Sequence, residues 1–258
     1  MHQPSFLSLT SGRMLLSGLV LMCALAATHA QGSADMKEAQ RLARVAQVAQ
    51  QQGRLDDAIR AYQTIAIVAK SSPVIASNAH LSAGNIYMAL GKYEEAAASF
   101  RRSLSLDANS AEAQNNLGEA LGELKQYQHA LEAFQRAVAL DSRFLKARYN
   151  TGVTYDHLGQ LKYAEFVYRI LIRDFPHFVL AYDSLAVTLS KSGRAREAIA
   201  FHEKAISLDA KEPSFYYNFA VSYLVLGDMR RAQQQQQKLR NLDPAMAEHL
   251  AMVIAKHQ

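Results

Sequence analysis

A repeat of 34 residues is the feature that most constrains this chain. The phrase "GKYEEAAASF" begins at Gly91, and phrases of the same pattern begin at positions 125, 159, 193 and 227. An earlier copy begins at Gly53, which is 38 residues before Gly91, so a short insertion lies near Pro73. A fixed period of about 20–50 residues is typical of proteins built from stacked repeats. We therefore expect an array of similar structural units.

Each copy has the pattern of two short helices joined by a turn. Upstream of the turns lie related phrases such as "HLSAGNIYMAL" (80–90) and "QNNLGEALGEL" (114–124), and their apolar spacing predicts amphipathic helices. Glycine can end a helix in the left-handed conformation at little cost. Glycine occupies five of the six turns, at Gly53, Gly91, Gly159, Gly193 and Gly227. Lys125 occupies the other turn, where we expect either strain or a different turn.

Small and large residues alternate at fixed positions of the repeat. One position of the first helix is always small: Gly84, Gly118, Gly152, Ala186 and Ala220. The second helix repeats an alanine: Ala58, Ala96, Ala130, Ala164, Ala198 and Ala232. Four residues further on stands a large filler, Tyr62, Phe100, Phe134 or Tyr168, replaced by His202 and Gln236 in the last two copies. The pattern predicts closely packed helix pairs whose stacking makes a continuous core.

These spacings, glycines, alanines and aromatics resemble the tetratricopeptide repeat (TPR) family over about residues 39–246. The Trp common in the first helix of the family is absent. The resemblance implies an all-α fold, a right-handed α–α superhelix (TPR solenoid) of six helix-pair repeats followed by a C-terminal capping helix. The implied repeats are 39–72, 77–110, 111–144, 145–178, 179–212 and 213–246, with the capping helix at 247–258.

The resemblance also implies a concave groove lined mainly by first helices. Carried over by repeat position, the peptide-binding candidates are Asn85, Asn116, Lys146, Tyr149, Asn150, Val153, Val187, Tyr217, Asn218 and Val221. Asn116, Asn150 and Asn218 share one repeat position, and an amide both donates and accepts hydrogen bonds. Such a ladder can pair with the backbone of an extended peptide. Asn85, Asn116 and Lys146 also match three of the five positions of TPR domains that hold acidic C-termini.

The first thirty residues have the layout of a secretory signal peptide. Arg13 precedes an uncharged run, Met14–Ala27, and small residues follow at Thr28 and Ala30. We therefore predict a cleaved signal at 1–30, a short linker at 31–38, and a periplasmic or secreted protein without a membrane span after cleavage. An uncleaved N-terminal anchor is the alternative. Lipidation at Cys23 fits poorly, because the bulky Met22 precedes it.

No constellation in the sequence indicates chemistry. The formal net charge of +5 forms no basic stripe, which disfavours nucleic acid as a partner. The single Cys and nine scattered His residues predict no metal, and we expect no cofactor and no enzymatic activity. The sequence favours a non-enzymatic scaffold that binds an extended segment of a protein or peptide partner in an envelope or secretion assembly.

Two other functions stay open. One is a polysaccharide-associated binding module, in which Tyr149 and Tyr217 would stack on sugar rings. The other is an adapter subunit of an enzyme complex.

Overall fold

The computed structural model describes residues 34–257 of the 258-residue chain, so the predicted signal peptide lies outside the described residues. That range contains thirteen α-helices and no strand, which confirms the all-α prediction. The helices are α1 Ala34–Gln51, α2 Leu55–Val68, α3 Pro73–Ala89, α4 Tyr93–Leu106, α5 Ala111–Glu123, α6 Tyr127–Leu140, α7 Leu145–His157, α8 Leu161–Asp174, α9 Val179–Lys191, α10 Ala195–Leu208, α11 Pro213–Val225, α12 Met229–Arg240 and α13 Pro244–Ala255.

The outermost described helices begin earlier than the sequence suggested. Residues 34–38, predicted as part of a linker, belong to α1, whose buried face is a run of alanines from Ala39 to Ala49. The last helix begins at Pro244 rather than at residue 247. Proline suits the first helical position, and the Asp243 side chain accepts a hydrogen bond from Met246 N at 2.9 Å.

The turns within the helix pairs share one geometry. Gly53, Gly91, Gly159, Gly193 and Gly227 all have φ between 70° and 79°. Lys125 has φ of 58°, so it adopts the same left-handed conformation without being glycine. Its turn closes as the turn of Gly91 does, with Gln126 N donating to Leu121 O at 2.8 Å where Lys92 N donates to Tyr87 O at 2.9 Å. The expected strain at Lys125 is therefore present, because a side chain disfavours this region.

Glycine in the first helix allows an aromatic ring of the second helix to lie against the backbone. A Cβ atom at Gly84 would lie 2.5 Å from Phe100, and one at Gly118 would lie 2.6 Å from Phe134. A Cβ atom at Gly152 would lie 2.6 Å from Tyr168. Real Cβ atoms do not approach ring carbons so closely. The predicted packing of small residues against large fillers is confirmed at these three pairs.

The described residues form two compact units, 34–147 and 148–257, with the division inside α7. The first unit has a core built on α1, α2 and α3 that includes Tyr62, Ile65 and Ile86. The second unit has a core built on α11, α12 and α13 that includes Phe219 and Leu250. Gln236, at the position of an aromatic filler, instead donates from its side-chain amide to Ala247 O at 3.1 Å. The final repeat thus uses a polar contact to hold the last helix.

Candidate binding surface

The first helix of a pair is buried differently from the second. In α5, α9 and α11 the buried residues run without a break over 113–122, 181–190 and 215–224. In α6 they recur with helical spacing from Ala130 to Ala137, as on a helix with one face on the core. Polar side chains carried by the first helices therefore lie in a largely desolvated setting, where they require partners.

The ten predicted binding residues all lie on first helices. Asn85 is on α3, Asn116 is on α5, and α7 carries Lys146, Tyr149, Asn150 and Val153; Val187 is on α9, and α11 carries Tyr217, Asn218 and Val221. Nine of them are buried, and the Lys146 side chain is 11% exposed. In the described structure these residues are therefore buried within their own units. Their role in peptide binding stays a prediction.

In the first unit the predicted amides bond to one another. Asn116 Nδ2 donates to Asn85 Oδ1 at 2.8 Å. The neighbouring Asn115 donates to Asn116 Oδ1 at 3.2 Å and to Glu119 Oε1 at 2.6 Å. Asn85 Nδ2 is buried and makes no hydrogen bond to any residue that the structure describes. One donor of the ladder is therefore unused, and an unused buried donor costs free energy.

The ammonium group predicted to receive a partner's carboxylate already meets a carboxylate of the chain. Lys146 Nζ lies 2.6 Å from Glu119 Oε1, and the Glu119 side chain is almost fully buried. Two oppositely charged groups this close neutralise much of each other's field. Of the three positions that match the carboxylate-holding TPR domains, Lys146 thus has its charge balanced within the first unit.

In the second unit the buried polar groups converge on Asp183. His202 Nδ1 lies 2.9 Å from Asp183 Oδ1, and Asn218 Nδ2 donates to Asp183 Oδ2 at 2.8 Å. His202 Nε2 lies 2.9 Å from Ser222 Oγ, which is 2.7 Å from Ser190 Oγ. The Asp–His–Ser order resembles a nucleophilic relay, but Ser222 and His202 have no exposed surface. The arrangement cross-links α9, α10 and α11 and offers no opening to a substrate.

A second buried carboxylate, Asp156, lies near the C-terminal end of α7. Its Oδ2 accepts a hydrogen bond from Thr188 Oγ1 at 2.6 Å, and its Oδ1 lies 2.7 Å from Lys191 Nζ. Neither Asp156 nor Asp183 is among the residues predicted from the sequence. The available signal was an acidic residue in a first helix beyond its first turn, where the helix dipole does not favour a negative charge.

The two tyrosines suggested for sugar stacking are packed inside the second unit. Tyr149 meets Phe178 edge-on with ring centroids 5.3 Å apart, and its hydroxyl lies 3.0 Å from Ser184 Oγ. Burial raises the pKa of the Tyr149 hydroxyl well above its ordinary value. Tyr217 stacks on His249 at 5.8 Å. Rings as deeply buried as these cannot stack on a sugar without repacking, which weakens the polysaccharide alternative.

Neither a metal site nor a membrane span is found in residues 34–257. No three His, Cys, Asp or Glu side chains in this range are grouped so that they could hold a metal ion. Across the same residues, no helix combines the length and the apolar character needed to cross a bilayer.

Comparisons with known proteins agree with the repeat geometry. Models of the TPR repeat and of the tetratricopeptide repeat match residues 84–125, 111–144 and 179–208. The crystal structure of MamA protein is 30% identical with a TM-score of 0.61, covering 68% of this chain and 93% of that chain. A second crystal structure of MamA is 32% identical with a TM-score of 0.59, covering 65% and 95%.

A further match shows the fold alone. PilW, described as a widely conserved type IV pilus biogenesis factor, is 24% identical with a TM-score of 0.69, covering 84% of this chain and 98% of that chain. A comparison with curated protein sequences returned no match.

Helix pairs of fixed length, closed by left-handed turns and packed small residue against aromatic ring, define an all-α repeat protein of the solenoid class. Together with the identity to MamA over nearly all of that chain, they show that the protein belongs to the tetratricopeptide repeat family. It is a protein–protein interaction scaffold, a class that is generally non-catalytic.

Proposed function

We propose that the chain binds an extended segment of a partner protein along its first helices, as a non-enzymatic scaffold of an envelope or secretion assembly. The observation that supports this best is the amide ladder of α3 and α5, in which Asn116 bonds to Asn85 and the Asn85 Nδ2 donor is unused. Because that donor is buried, a backbone carbonyl of a partner segment would satisfy it after the surrounding side chains shift to admit the segment. The envelope location rests on the predicted signal peptide.

Binding would exchange internal hydrogen bonds for intermolecular ones. The Asn116 amide is bonded inside the chain, so each new bond to a peptide replaces an existing one. The net gain per bond is then small, about 1 kcal/mol, and affinity depends on several bonds formed together. A scaffold of this kind recognises the extended backbone first and the side chains second.

The test uses peptides selected from a phage-displayed random library on the wild-type chain. Each selected peptide is labelled with fluorescein, and its affinity is measured by fluorescence polarisation. The Asn85→Leu/Asn116→Leu variant keeps side-chain volume but removes the amides, so we expect affinity to fall about tenfold. N-methylation of individual peptide backbone amides should weaken binding as well.

The control is Gln233→Leu, the same kind of change on an exposed position of α12. It should leave affinity unchanged. Thermal unfolding followed by circular dichroism checks that both variants are folded. Equal affinity of the wild type and the double variant would contradict a role for the ladder, and so would a failure to select any peptide.

A further inference from the structure

One second helix carries apolar residues where the other second helices carry polar or small ones. The residues compared share three outward positions of the repeat. On α8 they are Tyr163, Phe166 and Ile170. At the same positions the other pairs have Asp57, Arg60 and Thr64; Glu95, Ala98 and Arg102; His129, Glu132 and Arg136; Glu197, Ala200 and Lys204; and Arg231, Gln234 and Lys238. The α8 stripe, as we call Tyr163, Phe166 and Ile170, is therefore a local departure from the repeat.

The α8 stripe lies on a different face of α8 from the residues that pack into the core. Residues at i, i+3 and i+7 share one face of a helix, and the buried residues Ala164, Tyr168 and Leu171 lie on a different face. Tyr163 is 60% exposed and Phe166 is 64% exposed. Ile170, on the same face, is half-buried. Single exposed apolar residues are ordinary, but two on one helix face, extended by a third that is half-buried, indicate an interaction site.

The α8 stripe is held in a defined geometry. The Tyr163 ring stacks on the Tyr155 ring of α7, with centroids 5.3 Å apart and 28° between the planes. An aromatic ring fixed in this way loses little rotamer freedom when a partner covers it. Phe166 lies on the same face, between Tyr163 and Ile170, and is largely exposed. It would be the central apolar contact of the surface.

A basic flank runs along one side of the α8 stripe. Lys162, Arg169 and Arg173 follow each other at helical spacing. Arg169 bonds to Glu165 at 2.8 Å, and its guanidinium lies 5.6 Å from the centre of the Phe201 ring of α10. Arg173 likewise bonds through Nε to Asp174 at 2.8 Å. The flank therefore offers the terminal guanidinium nitrogens of Arg169 and Arg173, together with Lys162, to a partner that carries carboxylates beside an apolar face.

A second copy of the chain does not provide that complement. An antiparallel two-fold pairing of α8 would place the basic flank of one copy against the basic flank of the other. A parallel pairing would place it against the opposite flank, which carries Val167 and a single carboxylate, Asp174. Asp174 is already paired with Arg148 and Arg173.

An anionic membrane surface fits less well than an acidic protein segment. Glu165 and Glu197 both bond to Arg194 beside the basic flank, so the surface carries both signs of charge. A uniformly negative bilayer would repel these carboxylates, whereas a protein helix can place its acids opposite the basic side alone. We infer that the α8 stripe and its basic flank dock an acidic amphipathic helix of a partner protein, at a surface separate from the first helices.

The test is site-specific photocrosslinking of the full chain in the cells that produce it. p-Benzoyl-phenylalanine replaces Phe166, or replaces Glu132 or Ala200 at the matched positions of α6 and α10. We expect position 166 to give an adduct at least about ten times more abundant than either control, because a central aromatic contact dominates an interface. Mass spectrometry should map the adduct to a segment with apolar residues at i, i+3 or i+4, and i+7, rich in Asp and Glu.

A synthetic copy of the mapped segment then measures the surface directly. Phe166→Ser should lower its affinity about 30-fold, and Ala200→Ser should leave it unchanged. Because Phe166 is exposed, both variants should unfold at the wild-type temperature.

Four results would overturn the inference: an adduct with a second copy of the chain, an adduct with lipid, a mapped segment without the acidic pattern, or equal yields at 166, 132 and 200. The Asn85→Leu/Asn116→Leu variant should keep the adduct at 166, so this test is independent of the proposed groove binding.

Discussion

The two units share the 34-residue repeat but differ in the residues that are buried at equivalent positions. In residues 34–147, Gly84 and Gly118 face Phe100 and Phe134, and the buried Asn116 amide bonds to the Asn85 amide. In residues 148–257, Gly152 still faces Tyr168, but the next pair combines Ala186 with His202. There the His202 and Asn218 side chains both bond to the buried carboxylate of Asp183.

The difference shows how a filler residue decides what can surround it. A phenyl ring needs only space, which glycine supplies. An imidazole also needs hydrogen-bond partners, and Asp183 and Ser222 supply them. The first helix pair shows that the rule is local, because it combines Ala46 with Tyr62. In each helix pair, the residues around the filler therefore match that particular filler, although the 34-residue spacing is the same throughout.

The largest change in stability is expected when phenylalanine, the aromatic filler of the first unit, replaces His202 in the second unit. His202→Phe removes the imidazole contacts to Asp183 and Ser222. The buried Asp183 carboxylate is then left with one amide donor, from Asn218. We expect the free energy of unfolding to fall by about 3 kcal/mol. Urea unfolding near neutral pH, followed by circular dichroism, measures it.

The matched control for that change is His129→Phe on the exposed face of α6, which should stay within about 0.5 kcal/mol of the wild type. If His202→Phe were as stable as the wild type, the imidazole contacts would be incidental to packing.

A smaller loss is expected when an alanine of the second unit is placed in the first. Gly118→Ala should lower the free energy of unfolding by about 2 kcal/mol, because the new methyl group meets the Phe134 ring. Helix propensity alone would raise it by about 1 kcal/mol, so the sign of the change is diagnostic. Urea unfolding of Gly118→Ala, Phe134→Leu and the double variant completes the measurement.

The double variant should cost less than the sum of the two single changes, since leucine makes room for the methyl group. Strict additivity would show that Gly118 and Phe134 do not constrain each other.

The repeat made these packing pairs predictable, because the residues involved lie within one period. Gly118 and Phe134 are 16 residues apart in the sequence and recur together. The partners of the first-helix amides were not predictable in the same way. Asn116 bonds to Asn85 and Asn218 bonds to Asp183, each in a neighbouring repeat. Repeat position indicates which helix carries a side chain, but not which of several nearby groups will bond to it.

The turn of Lys125 offers a gain in stability. Five turns have glycine in the left-handed conformation and this one, in the first unit, does not. Lys125→Gly should raise the free energy of unfolding by about 1 kcal/mol, measured by urea unfolding. The reverse change, Gly91→Lys, should lower it by a similar amount. A loss of stability in Lys125→Gly would mean that the lysine side chain contributes more than its backbone strain costs.

The smallest expected effect is a difference between the two units in how their stability depends on pH. Partial burial, assisted by the nearby Arg102, lowers the pKa of the His80 imidazole below its ordinary value of 6.5. The unfolded chain then binds the proton more readily, so the contribution of His80 is present above about pH 6.5 and is lost as the pH falls below that value. In the second unit, hydrogen bonds from Arg173 and Arg148 lower the pKa of Asp174 below 3.8, so its contribution is lost only as the pH falls further, through that lowered pKa.

Mild acid should therefore act on His80 before it acts on Asp174. The unfolding temperature of the wild type should fall between about pH 7 and pH 5, and His80→Gln should reduce that fall. His129→Gln, which changes an exposed histidine, should leave it unaltered. An NMR titration of the His80 ring protons gives the pKa directly. A midpoint at or above 6.5 would remove the difference in pH response between the units.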